Sequence, residues 1–92
     1  MSARFENGFD GRVAVVTGGG TGMGREMVLQ LTADGCDVAT CDISEENLAE
    51  TSALCAAAGN KGQIITHIAD VSVESEVLAF RDVVARWRKH VN

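Results

Sequence analysis

Residues 17–24 read T-G-G-G-T-G-M-G, and the segments on either side of this glycine cluster decide how the chain folds. Just before it, residues 12–16 (R-V-A-V-V) form a short β-branched run without polar alternation, the pattern of a strand covered on both faces. Just after it, Met23, Met27 and Leu31 recur at helical spacing with Val28 beside them. Gly35 stands where a helix over residues 23–34 would stop. The cluster therefore reads as a strand-to-helix turn.

The same alternation repeats twice more. Residues 36–41 (C-D-V-A-T-C) predict a second strand. Ser44 is placed to cap a helix over 45–58, with Glu45 and Glu46 in the first turn, where the helix dipole favours negative charge. That helix is expected to bury Leu48, Ser52 and Cys55 and to end at Gly59. Residues 63–69 (Q-I-I-T-H-I-A) predict a third strand. Ser72 is then placed to cap a third helix, whose apolar stripe is Val73, Val77, Phe80, Val84 and Trp87. A βαβαβα order implies parallel strands joined by helical crossovers, so the expected fold is α/β, a partial Rossmann arrangement with three parallel strands. The domain is expected over residues 12–92, behind a polar leader, residues 1–11, anchored by Phe5 and Phe9.

Composition narrows the function classes. Apolar residues are 46% of the 92, enough for a core, and the net charge is −5. An acidic chain lacks the basic footprint that nucleic acid or an anionic membrane requires. No apolar run approaches the roughly 20 residues that span a bilayer, and the charged start of the chain does not read as a secretory signal. Three cysteines without a C-x-x-C pair read as buried thiols in a reducing cytoplasm. Cys36 and Cys41 fall on opposite faces of one strand and so cannot bridge. His67 and Trp87 read as packing residues, His90 as a surface residue, and no His, Cys or acid cluster has metal-ligand spacing.

The glycine turn is suited to a phosphate. A helix N-terminus offers unpaired N–H groups and about half a positive charge. Gly18 permits the turn out of the strand, Gly22 lets a phosphate approach the backbone, and Gly24 lets the helix pack closely. Asp42 follows at the end of the second strand, where an acid can accept hydrogen bonds from ribose hydroxyls and repel a 2′-phosphate. Taken alone, Asp42 is as readable as a solvated strand-end acid or helix-cap partner as it is as a ribose acceptor. Asp70 and Val71 end the third strand on the same sheet edge, and Asp70 too has a helix-capping reading.

Together, T-G-x-x-x-G-x-G at 17–24, an acid after the second strand and Asp70–Val71 after the third resemble the short-chain dehydrogenase/reductases, from about Phe9 to the end of the chain. Dehydrogenases with G-x-G-x-x-G and the extended T-G-x-x-G-x-x-G relatives do not share this spacing. The resemblance implies an oxidoreductase of alcohols or carbonyls. It places Gly18, Thr21, Gly22, Met23 and Gly24 around a pyrophosphate and its ribose, Asp42 and Ile43 at the adenosine ribose, and Asp70 and Val71 at the adenine. Met23 stands where isoleucine is common. Relatives that prefer NADP carry a basic residue at the place of Thr21 or Ile43, so the resemblance favours NAD here.

The family's catalysis uses a strand-four N-N-A-G motif, a Ser and a Tyr-x-x-x-Lys pair. These 92 residues contain no tyrosine, and the lysines are Lys61 and Lys89. No catalytic residue is assigned, and the chain is expected to be the cofactor-binding half, truncated before a fourth parallel strand. Without that strand, residues 12–17 are expected to form an exposed edge open to self- or partner association. The second reading is a non-catalytic nucleotide-binding or interaction module that pairs through this edge. A methyltransferase-type fold fits less well, since its loop reads G-x-G-x-G.

Overall fold

The computed structural model describes the backbone of residues 2–6 and 13–91 and the side chains of residues 13–87. In chain order the elements are β1 (Ser2–Glu6), β2 (Val13–Thr17), α1 (Gly22–Ala33), β3 (Asp37–Asp42), α2 (Glu45–Ala57), β4 (Ile64–Ile68) and α3 (Glu74–Val91). The sheet order is β1-β2-β3-β4. β2, β3 and β4 run parallel, with Thr17 opposite Cys41 and Asp42 opposite Ile68. The expected βαβαβα unit with three parallel strands is thus present from β2 to α3.

The expectation of an open edge at residues 12–17 is corrected. β1 lies antiparallel on β2, with Ser2 opposite Thr17 and Glu6 opposite Val13. Part of the stretch read as a leader is therefore a strand. The physical reason is that a core strand with one unpaired row of N–H and C=O groups takes up an extended segment within reach. The anchoring assigned to the Phe5 and Phe9 side chains falls outside the described residues.

Side chains alternate along each strand and so build two cores, one on each face of the sheet. On one face Ala14, Val16 and Val38 pack with Val28 and Leu31 of α1, Cys55 of α2, and Cys36. On the other, Ala39, Cys41 and Ala69 pack with Phe80 and Val84 of α3, with Val15, Ile65 and Trp87 alongside. Cys36 and Cys41 therefore lie in different cores, as strand alternation requires. His67 stacks on Phe80 with ring centroids 5.9 Å apart, in keeping with a packing role.

Three details of the sequence reading shift. In α1 the buried stripe is Gly24, Val28, Leu31 and Thr32, while Met23 is 75% exposed. The stripe lies one position round from expectation because Gly24, with no side chain, is the residue that approaches the strand. In α2 the buried position beside Leu48 and Cys55 is Thr51 rather than Ser52. In α3 the helix starts at Glu74, and Ser72 does not cap it. Instead the Ser72 N–H and hydroxyl both donate to Asp70 Oδ1, at 2.9 and 2.6 Å, and Glu76 Oε1 accepts the Asp70 N–H at 2.8 Å.

Phe80→Ala is expected to lower stability by about 3 kcal/mol or more, because a large ring leaves a well-packed core; a fall in the urea midpoint at unchanged slope checks this. All three cysteines are buried. Burial pushes the Cys41 thiol up, opposed in part by the Gly18 backbone, and the charge of Asp42 adds to the rise. At neutral pH the folded chain is therefore expected to resist a thiol reagent, with all three thiols reacting only after denaturation.

Candidate functional site

The site begins where β2 ends. The N–H groups of Gly18 and Gly19 both donate to the Cys41 carbonyl of β3, at 2.8 and 3.2 Å. This turns the chain off the sheet toward α1. Gly18 and Gly22 have φ of 76° and 57°, values that cost a residue with a Cβ about 1–2 kcal/mol. Gly24 meets a different constraint: a Cβ there would lie 1.9 Å from the Gly18 carbonyl oxygen. Helix α1 thus lies directly on the turn that precedes it. The Arg25 N–H makes the first helical bond, to Thr21 O at 3.2 Å. The N–H groups of Gly22, Met23 and Gly24 belong to the first turn, which has no i−4 partner within the helix.

Asp42 closes the other side of the loop. Its Oδ2 accepts the Gly20 N–H at 2.9 Å. Its Oδ1 accepts the Ile43 N–H at 2.7 Å and the Ser44 N–H at 3.3 Å. Asp42 therefore caps the turn into α2 and also faces the glycine loop. Each carboxylate oxygen carries two lone pairs, so Oδ2, with one partner, keeps acceptor capacity for a hydroxyl.

Gly18, Asp42, Ile43, Asp70 and Val71 meet in one cleft, which Cys41 and Ala69 complete. Ile43 and Val71 are 68% and 55% exposed, apolar surface left on the cleft's rim. Thr21, Gly22 and Met23 do not line it; they sit exposed at the start of α1. Asp70 holds its own turn: bonds from the Ser72 side chain and backbone keep its carboxyl below the usual carboxylate range. Those bonds favour the ionised form. Their contribution is complete above the ordinary aspartate pKa of about 3.9 and is lost as the pH falls through the lower folded value. Among the described residues no group of three His, Cys, Asp or Glu side chains is placed to hold a metal, and no helix is long and apolar enough to cross a membrane.

Sequence reasoning passed over two glycines and a polar cluster. A Cβ on Gly19 would lie 2.0 Å from Thr40 Oγ1, and one on Gly20 would lie 2.7 Å from Asp42 Oδ2. The uninterrupted G-G-G run is the signal for both. Arg25 of α1 and Asn47 and Thr51 of α2 surround the loop. The signal for Thr51 is a polar residue on the stripe that includes Leu48 and Cys55.

Gly22→Ala is expected to cost about 1–2 kcal/mol from its positive φ, with nothing within 4 Å to clash. Gly24→Ala drives a Cβ into backbone and is expected to cost more. Comparing the two urea midpoints checks the order, which reverses if close helix packing is not the constraint at Gly24.

Comparison with known proteins agrees with this geometry. The family model described as short chain dehydrogenase matches residues 12–92. A short-chain dehydrogenase/reductase of Armillaria gallica is 51% identical over 69 residues, which make up 73% of this chain and 26% of that protein. Among solved structures, a short-chain dehydrogenase/reductase from Burkholderia phymatum in complex with NAD superposes with a TM-score of 0.73 at 37% identity, over 82% of this chain and 26% of that one. A metagenomic short-chain oxidoreductase in complex with NADP superposes with a TM-score of 0.79 at 30% identity, over 88% of this chain and 36% of that one. The chain spans about a quarter of the length of the curated relatives it matches, 27% and 26% in two cases. With its glycine turn, strand-end acid and parallel sheet accounted for by one fold, the chain belongs to the short-chain dehydrogenase family and corresponds to the amino-terminal portion of its members.

Proposed function

We propose that this chain forms the NAD(H)-binding half of an oxidoreductase acting on an alcohol or carbonyl substrate. The observation that carries the reading is the cleft that joins Gly18 and Asp42 to Asp70 and Val71, beside a helix N-terminus whose first-turn N–H groups have no partner within the helix. The residues fit a dinucleotide on chemical grounds. The first-turn N–H groups of α1 suit a pyrophosphate, and Gly22 has no side chain to exclude it. Asp42 Oδ2 suits a ribose hydroxyl, and Ile43 and Val71 offer apolar walls to an adenine ring.

The preference for NAD over NADP rests on charge. A 2′-phosphate beside Asp42 meets a carboxylate already committed to three N–H groups. The positions that carry a cation in relatives preferring NADP hold Thr21 and Ile43. Arg25, the cation nearest in sequence, is turned toward Glu50 and α2.

When bound, the nicotinamide accepts or delivers a hydride. The work of these residues is to hold and orient its adenosine and pyrophosphate end. The proton on the substrate oxygen is handled in this family by a Tyr-x-x-x-Lys pair, and these 92 residues contain no tyrosine. We assign the chain no catalytic residue on that basis. Three buried cysteines suit a reducing compartment, the cytoplasm.

Titration with NADH and NADPH, followed by fluorescence, tests the assignment. The chain is expected to bind NADH more tightly. Asp42→Asn removes the charge and is expected to narrow the difference by about tenfold, the size of one charge-assisted interaction. An unchanged ratio of the two affinities sinks the role of Asp42. Gly22→Val is expected to abolish binding of both nucleotides, and retained affinity rejects the pyrophosphate placement.

A further inference from the structure

Thr51 has no exposed surface, yet its side chain is polar and lies among backbone oxygens. Its Oγ1 is 2.9 Å from Gly19 O, 3.1 Å from Asn47 O and 3.4 Å from Gly20 O, and it accepts Arg25 Nε at 2.9 Å. One hydroxyl carries one proton, and the shortest of the three acceptor distances is to Gly19 O. The Arg25 guanidinium continues the arrangement. Its Nη2 donates to Gly20 O and to Asn47 O, and its Nη1 to Glu50 Oε1. The carbonyls of two successive loop residues are therefore held, Gly19 O from α2 by Thr51 and Gly20 O from α1 by Arg25.

In a trans peptide the C=O and the following N–H point in opposite directions. With Gly19 O on Thr51, the Gly20 N–H must point the other way, and it does so onto Asp42 Oδ2 at 2.9 Å. With Gly20 O on Arg25, the Thr21 N–H is likewise turned away from the guanidinium. We propose that Thr51 and Arg25 are positioning residues that fix the orientation of the Gly19–Gly20 and Gly20–Thr21 peptides, and thereby hold the Gly20 N–H on Asp42 and leave the Thr21 N–H facing away from the guanidinium, in the loop shape that the dinucleotide meets. This role rests on the dinucleotide reading for its purpose, but the pinning itself does not.

The Arg25–Glu50 ion pair does not explain the arrangement. Glu50 is 60% exposed against 18% for Arg25, and exposed pairs contribute little. The neutral backbone oxygens are the partners that need a buried donor, because glycines have no side chain with which to fix their own peptides.

The test uses the whole chain and compares Thr51→Val, Thr51→Ser, Arg25→Met and Glu50→Ala. Two quantities are read: NADH affinity, and amide hydrogen exchange across residues 18–24 without nucleotide. Thr51→Val keeps the shape and loses the hydroxyl. It is expected to weaken NADH about tenfold and to speed exchange in the loop while the amides of β2 and β3 stay as slow as before. Thr51→Ser restores the hydroxyl and is expected to restore both readings, which a loss of packing alone does not predict. Arg25→Met is expected to share the loop effect and covers the case in which Thr51→Val fails to fold; Glu50→Ala is expected to match the unaltered chain. Loop exchange unchanged in both Thr51→Val and Arg25→Met, or rising equally throughout the sheet, overturns the proposal. If the unaltered chain leaves NADH unbound, the dinucleotide reading fails, and exchange alone upholds or overturns the pinning.

Discussion

The parallel register of β2 and β3 is the constraint from which the site follows. With Thr17 opposite Cys41, the Cys41 carbonyl lies where the Gly18 and Gly19 N–H groups can both reach it. The next residue on β3 is then Asp42, level with Gly20. A slip of one residue inverts the faces of a strand. It would send Val38 and Cys41, each now fully buried in its own core, to the core on the opposite face, and carry the carboxylate away from the loop. The core and the site are thus specified by one pairing, and the apolar residues that hold the register also place the acid.

How much of this was legible follows from which residues act through spacing and which through contact. The glycine turn, the strand-end acid and the alternation of elements depend on distance along the chain, and a sequence displays that directly. Thr51 acts on a carbonyl 32 residues away and Arg25 on one five residues back, and backbone acceptors leave no trace in a residue pattern. Met23 misled because its spacing to Met27 and Leu31 is helical, while the face that is buried is set by Gly24, a residue with no hydropathy to read. Ser72 misled because Asp70 offers a stronger acceptor two residues away, so the hydroxyl serves that turn instead of the helix. β1 was illegible for another reason: S-A-R-F-E is too short and too mixed to announce a strand, and only an unsatisfied neighbour makes it one.

Membership of the short-chain dehydrogenase family explains why so much of the chain's polar chemistry is gathered at one end of the sheet. Strand-end loops carry function because the strands behind them are rigid. Here the rigid part is almost wholly apolar, and the polar side chains Asp42, Thr51 and Arg25 cluster round three glycines that have none of their own. The relatives solved with NAD and with NADP show that the same scaffold serves either cofactor. Under the proposed function, the distinction in this chain falls on the few residues beside Asp42.

The antiparallel course of β1 has a practical side. Because Ser2 lies opposite Thr17, the amino end of that strand comes to the same rim of the sheet as the glycine turn. An affinity tag or fusion partner attached there would emerge beside the cleft and compete for its space. Attachment after α3 avoids that rim, so the choice of terminus becomes a variable in any binding measurement on this chain.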